Sequence, residues 1–165
     1  MNQKPYDREK AVAYAHQWAF GRNPRYANFD GMGGDCTNFT SQCIYAGAGV
    51  MNPTPTFGWY YYSLNSRAPA WSGVEYLYRF LVKNRSVGPV AVETDLSQIE
   101  IGDIVQISFD GNIFEHSPIV VSVGEPPAPN NILIAAHTYD SDNRPLSSYA
   151  YKRLRPLHIT HINVW

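Results

Sequence analysis

The sequence predicts an α+β domain in which N-terminal helices pack on a C-terminal antiparallel sheet. In the first half of the chain, apolar residues recur at helical spacing in three segments. After residue 88, short β-branched and aromatic runs alternate with turn residues. Helices followed by strands with short connections are typical of an α+β fold. A length of 165 residues without an internal repeat predicts one domain, residues 1–165.

The first two helices are predicted from the spacing of small and apolar residues. Residues 6–18 carry Ala11, Ala15 and two aromatic rings on one face. A glycine-rich segment then leads to a second helix over residues 36–47, where Gly47 and Gly49 supply the stop. This second helix is therefore predicted to begin at a cysteine.

The third helix has the clearest start signal. Residues 53–71 mix proline and aromatic residues without a period and predict a structured loop. Ser72 can then cap a helix with Glu75 as its third residue, which is a capping-box pattern. The apolar face of this helix would hold Val74, Leu77, Tyr78 and Leu81.

Four strands are predicted in the second half of the chain, because β-branched and aromatic residues dominate each of four short runs. These are residues 104–109, 117–123, 132–138 and 149–154. The Asp-Gly-Asn sequence at 110–112 predicts a hairpin turn between the first two.

The composition argues against nucleic acid and membrane partners. Charged residues are 16% of the chain and the formal net charge is −1, which does not suit a phosphate backbone. No run of eighteen apolar residues occurs, and the N-terminus lacks the apolar core of a signal peptide. A mature or excised part of a secreted protein would nevertheless have the same sequence.

The two cysteines differ in their positions on the second predicted helix. Seven helical residues separate the Cα atoms of Cys36 and Cys43 by about 10 Å, too far for a disulfide. Cys36 heads the helix, where the dipole and free N–H groups should lower the pKa of the thiol and receive an oxyanion. Cys43 lies in mid-helix and is predicted to be a core residue. The competing interpretation is that Cys36, too, is a small core residue.

A nucleophilic cysteine needs a base, and two histidines lie in suitable settings. His116 opens one apolar strand and His137 nearly ends another. Cys36 and His116 predict a nucleophile and base, with a further polar residue to orient the imidazole. That residue could be His137, Asp140 or Asp142, and the spacing does not choose among them.

Three more residues are candidates for supporting roles. Asp35 could orient the loop before Cys36 or contact a substrate amine. Asn38 could help to hold an oxyanion, although a plain first-turn role suits it better. Trp71, with the aromatic residues of 59–62, could wall a substrate groove, or equally be packing.

Five motifs occur in order over most of the chain. They are Tyr6-Asp7-Arg8 with 11–15, Asn23-Pro24-x-Tyr26-x-x-Phe29, Asp35-Cys36-Thr37-Asn38-Phe39-x-Ser41-Gln42, Gly102-Asp103-Ile104 followed by His116-Ser117-x-Ile119-Val120, and Ala136-His137-Thr138 with Asp140. The first three resemble the "putative amidase domain" family of Gram-positive bacteria. The fourth also resembles the pattern of NlpC-type and CHAP cell-wall hydrolases.

The resemblance implies a papain-like fold with Cys36 as nucleophile, His116 as base and, by analogy with NlpC-type enzymes, His137 as the third member. It implies amide hydrolysis through a thioacyl-enzyme, on peptides or peptidoglycan stem peptides, without a metal or cofactor. It also favours a secreted or cell-envelope location. Alternatives are an inactive binding module for cell-wall peptide, an acyl-transferring enzyme, and a zinc site built from the same three residues.

Overall fold

In the computed structural model, which describes residues 1–165, the N-terminal helices form where the apolar spacing predicts them. A short strand, β1 (Asn2–Lys4), precedes α1 (Arg8–Trp18) and α2 (Cys36–Ala48). Helix α1 begins at residue 8 rather than 6 because the side chain of Asp7 caps it. Helix α2 begins at the cysteine, as predicted, and ends at Gly49, whose φ of 73° is left-handed.

The aromatic segment after α2 contains more regular structure than the sequence predicts. A small hairpin of β2 (Tyr61–Ser63) and β3 (Ser66–Arg67) is followed by a one-turn helix, α3 (Pro69–Ser72), and by α4 (Val74–Lys83). The chain between the hairpin and α2 is irregular.

The predicted capping box is wrong. Gly73 separates α3 from α4 and occupies the cap position of α4 with no side-chain bond. Ser72 instead accepts a hydrogen bond from Nε of Arg67 at 3.0 Å. The apolar face of α4 is nevertheless present, with Leu77 and Leu81 fully buried.

Six strands from the second half of the chain and β1 form a seven-stranded sheet in which every paired strand is antiparallel. The sheet confirms the predicted α+β class with an antiparallel sheet. Its path is β1-β9-β5-β6-β7-β8, and β4 pairs with the other side of β9. The strands are β4 (Gly88–Glu93), β5 (Ile104–Ser108), β6 (Ile119–Val123), β7 (Ile132–Ala136), β8 (Ser141–Pro145) and β9 (Arg153–Val164).

The structure extends the predicted sheet at its edges. The strand predicted at 149–154 is only the beginning of β9, which runs for 12 residues and pairs with three strands. Strands β4 and β8 were not predicted, because one begins with Gly-Pro and the other is the polar sequence Ser-Asp-Asn-Arg-Pro. Both owe their conformation to a paired neighbour rather than to their own composition.

The sheet separates two apolar clusters, and α2 lies in the larger one. Successive residues of a strand point to opposite faces of the sheet. Ile104 points toward the helices and the larger cluster, whereas Val105 points toward the smaller cluster. The first nine residues of α2 are all buried. The cysteine therefore begins a helix whose first turns are buried within the domain. None of the helices has the length and apolar character needed to cross a bilayer.

Candidate active site

The thiol of Cys36 faces the segment that carries His116. Its Sγ lies 4.0 Å from the carbonyl oxygen of Glu115 and also contacts the backbone of Ser117. The hydroxyl of Thr37 is 3.7 Å away. Cys36 thus touches the backbone on both sides of the histidine, 79 residues along the chain. Both cysteines are free thiols, as their spacing predicts.

The expected lowering of the thiol pKa is wrong for this site. Burial raises the pKa of Cys36, and the hydrogen bonds from Thr37 and Ser117 offset only part of the rise. The sequence placed Cys36 at an open helix end, but the structure leaves it 9% exposed. Loss of hydration is the largest influence on the pKa of Cys36, so the thiol is protonated at neutral pH.

His116 lies between β5 and β6, where its backbone bridges to Ile107. Its Nε2 is 3.3 Å from the hydroxyl of Tyr149, and the two rings pack with centroids 5.5 Å apart. Its Nδ1 makes no hydrogen bond to the protein. Burial, with a smaller contribution from the charge of Arg144, lowers the pKa of His116 to about 4. The imidazole is therefore neutral at neutral pH and can accept a proton.

Tyr149 and Arg144 are parts of the site that the sequence did not single out. The guanidinium carbon of Arg144 lies 3.7 Å from the centre of the Tyr149 ring, and its Nε donates to Ser148 at 2.7 Å. Burial raises the pKa of Tyr149, so it is a neutral phenol beside His116. No local pattern marks either residue, because the turn after β8 reaches His116 only in the folded sheet.

Replacing Arg144 with glutamine is expected to raise the pKa of His116 above 4. The substitution removes one positive charge that disfavours imidazolium, while burial continues to hold the pKa below its usual value. Titration of the histidine ring protons by NMR measures the shift. Lys152→Gln removes the same charge at an exposed position and should leave the pKa of His116 unchanged. Equal titration curves in wild type and Arg144→Gln contradict the role of this charge.

His137 is buried but does not meet His116. Its Nδ1 is 2.5 Å from a carboxylate oxygen of Asp35, and its Nε2 is 2.7 Å from the carbonyl oxygen of Trp18. Its ring stacks on Phe39 with centroids 3.9 Å apart. Since both ring nitrogens are occupied, His137 has no atom left to orient His116. In this structure the group beside His116 is Tyr149.

The Asp35 carboxylate is buried and binds other groups of the protein interior. Its carboxylate accepts hydrogen bonds from the backbone N–H of Phe29 at 2.8 Å, from Asn38 at 2.9 Å and from His137. Its own N–H donates to Thr138 at 3.3 Å. Burial alone would raise the pKa of Asp35, but the hydrogen bonds it accepts outweigh burial and hold the pKa below its usual value. A fully buried, saturated carboxylate cannot reach a substrate amine.

Asn38 and Trp71 also belong to the packed interior. The amide of Asn38 donates to the carbonyl of Ala27 at 3.0 Å and to Asp35, and its oxygen accepts from the Trp71 indole at 3.0 Å. Trp71 is fully buried and stacks on Tyr26. The first-turn interpretation of Asn38 and the packing interpretation of Trp71 therefore hold, and neither residue faces a groove.

The two remaining candidates for the orienting role are engaged elsewhere. Both oxygens of Asp140 bind Arg22, at 2.9 and 3.0 Å. Asp142 binds Nδ1 of His16 at 2.8 Å. No group of three His, Cys, Asp or Glu side chains has the arrangement of a metal site. The zinc alternative required Cys36, His116 and His137 to converge, which they do not.

Comparison with known proteins gives two matches. The family model described as "Putative amidase domain" matches residues 5–160. The chain is 35% identical over 143 residues to "Uncharacterized protein YhbB" of Bacillus subtilis (strain 168), an alignment that covers 84% of this chain. The match spans 43% of the length of that protein. No solved structure matches the chain.

Proposed function

Because the chain belongs to the "Putative amidase domain" family, we propose that it hydrolyses an amide bond through a thioacyl-enzyme formed on Cys36. The observation that carries the proposal is the contact of the Cys36 thiol with the backbone on both sides of His116. The thiol and a buried, neutral imidazole therefore lie on adjoining segments, and a thiol with an imidazole base is a combination that nucleophilic catalysis uses. The resemblance to papain-like and NlpC-type hydrolases supports the same pair.

The reaction proceeds by general-base catalysis from a neutral resting pair. Nδ1 of His116 accepts the thiol proton as Sγ of Cys36 attacks the carbonyl carbon. The imidazolium then donates that proton to the departing amine, which leaves a thioester. A water molecule, deprotonated by His116, attacks the thioester, and the proton returns to the sulfur as the acid is released. Because its pKa is about 4, His116 is neutral at neutral pH before each proton transfer.

The start of α2 can hold the developing oxyanion. The first N–H groups of a helix have no partner within the helix, and the Asp35 side chain makes no capping bond to them. The backbone N–H of Cys36 is thus available beside its own sulfur. Such a donor stabilises the tetrahedral intermediate more than the planar substrate.

Tyr149 is the positioning residue of the proposed pair. Its hydroxyl engages Nε2 of His116, which leaves Nδ1 for the thiol. A third group that fixes the far nitrogen of the base is the usual completion of such a site.

Tyr149→Phe is expected to lower kcat/KM by about 2- to 10-fold, the value of one neutral hydrogen bond. The acid limb of the pH profile of kcat/KM should also move, since the imidazole loses a partner. Tyr151→Phe removes a hydroxyl nearby on the chain that makes no hydrogen bond, and it should change neither quantity. Identical pH profiles for Tyr149→Phe and wild type would remove Tyr149 from the site.

The proposed substrates are peptides, including stem peptides of peptidoglycan. The protein is incubated with muropeptides from a lysozyme digest and, separately, with mixed casein peptides, then quenched in acid. We expect new amine and carboxyl termini in one mixture and an acyl adduct on the peptide containing Cys36. Cys43→Ala should behave as wild type, whereas Cys36→Ala should give neither product nor adduct.

The same experiment separates the alternatives. Turnover by Cys36→Ala overturns the nucleophile. Saturable binding of muropeptides without product or adduct favours the non-catalytic binding module. Ligation of an added amine in place of hydrolysis identifies the acyl-transferring enzyme, which shares the Cys36 adduct.

A further inference from the structure

A second cavity lies apart from the cysteine site. It has a volume of about 490 Å³ and is bounded by α4, the segment from Asn52 to Phe57 and the turn at residues 84–86. Neither Cys36 nor His116 lines it. Asn52 follows the C-terminal end of α2, and a helix of 13 residues separates its two ends by about 18 Å. The cavity is therefore a separate site, of a size that small-molecule sites commonly have.

The charge of the cavity wall is positive and largely uncompensated. Arg79, Lys83 and Arg85 line it, and no aspartate or glutamate does. Neither Lys83 nor Arg85 takes part in a salt bridge, and Arg79 makes only a 3.9 Å contact with Glu75. Three cations without carboxylates in one wall favour an anionic occupant.

Aromatic rings provide the rest of the wall. Phe80 is only 7% exposed and forms an apolar part of the wall. Phe57 and Tyr76 are 84% and 57% exposed to solvent. The amide side chains present are already engaged, since Asn84 donates to the carbonyls of two neighbouring residues and Asn52 accepts from Thr54. Recognition thus rests on the cations and the rings.

We propose that this cavity binds a small organic anion, in which a phosphate or carboxylate group carries an aromatic or short apolar body. The anionic group lies among Arg79, Lys83 and Arg85, and the apolar body lies against Phe57 and Phe80. The proposal is independent of the chemistry at Cys36.

The test is an NMR titration of ¹⁵N-labelled protein with phenyl phosphate, phenylacetate, inorganic phosphate and benzyl alcohol. At least one of the first two should shift the amides of the cavity saturably, and the one that binds tighter identifies the anionic group. Inorganic phosphate and benzyl alcohol should each bind at least about tenfold more weakly, since each lacks one half of the recognised structure.

The double variant Lys83→Ala/Arg85→Ala removes two exposed cations and should weaken the binding of phenyl phosphate or phenylacetate by about tenfold. Lys10→Ala/Lys152→Ala makes the same change of charge on other surfaces and should bind as wild type. The proposal is overturned if neither aromatic anion shifts the cavity amides at millimolar concentration. It is overturned equally if the Lys83→Ala/Arg85→Ala variant binds as tightly as wild type.

Discussion

Replacing His116 with alanine is expected to lower kcat/KM by about 10²- to 10⁴-fold, the usual contribution of a general base. The effect should be large here because burial raises the pKa of Cys36, so that few thiolates exist without a base. Both acylation and deacylation require proton transfer, so kcat should fall with kcat/KM. Steady-state kinetics on the substrate identified above measure the loss.

The pH profile gives a second, independent readout of the same substitution. With a pKa of about 4, His116 is neutral above that pH and becomes protonated below it, so wild-type kcat/KM should fall as the pH drops through about 4. This limb should be absent in His116→Ala. His16→Ala removes an exposed imidazole bound to Asp142 and should keep both the rate and the limb. If His116→Ala retains wild-type kcat/KM, the base is another group.

The elements closest to Cys36 were predictable because their signals are local. A glycine-rich segment followed by small and apolar residues at helical spacing predicts a helix that begins at Cys36, and α2 does so. The apolar runs before and after His116 likewise predict β5 and β6. Each of these elements is specified by its own ten or so residues.

The partners of the site residues were not predictable, because long-range pairing creates them. The contact between Tyr149 and His116 depends on the arrangement of β5 to β8 in the sheet. No residue near Tyr149 in the sequence indicates this contact. Asp35 follows two glycines and looks exposed, yet a histidine 102 residues away buries it. The first turns of α2 carry polar side chains, although they are buried. The indole N–H of Trp59 donates a hydrogen bond to Ser41, and the indole N–H of Trp71 donates one to Asn38.

The buried pair of Asp35 and His137 must hold a proton between its members. The carbonyl oxygen of Trp18 can only accept, so Nε2 of His137 carries a hydrogen. The short contact between Nδ1 and the carboxylate requires a second hydrogen. Since the pKa of Asp35 is lowered, its carboxylate oxygen is the acceptor of this bond. Both side chains are 1% exposed, and Asp35 directly precedes Cys36.

Asp35→Ala is therefore expected to lower the free energy of unfolding by about 3–5 kcal/mol, because each buried donor left without its acceptor costs about 1–3 kcal/mol. The substitution leaves Nδ1 of His137, the N–H of Phe29 and the Asn38 amide without their acceptor. Urea unfolding at neutral pH measures the change. Asp30→Ala removes a 44% exposed carboxylate that binds Arg22 and should cost less than about 1 kcal/mol.

A double-mutant cycle of Asp35→Ala and His137→Ala separates the pair from its other contacts. Once Asp35 is absent, removing His137 also removes a buried donor that has lost its acceptor, so the double variant should lose about 1–3 kcal/mol less than the sum of the single losses. Such coupling assigns His137 to holding the start of α2 through Asp35. Additive losses would mean that the two side chains stabilise the fold separately, and would contradict the role of His137 in holding the start of α2.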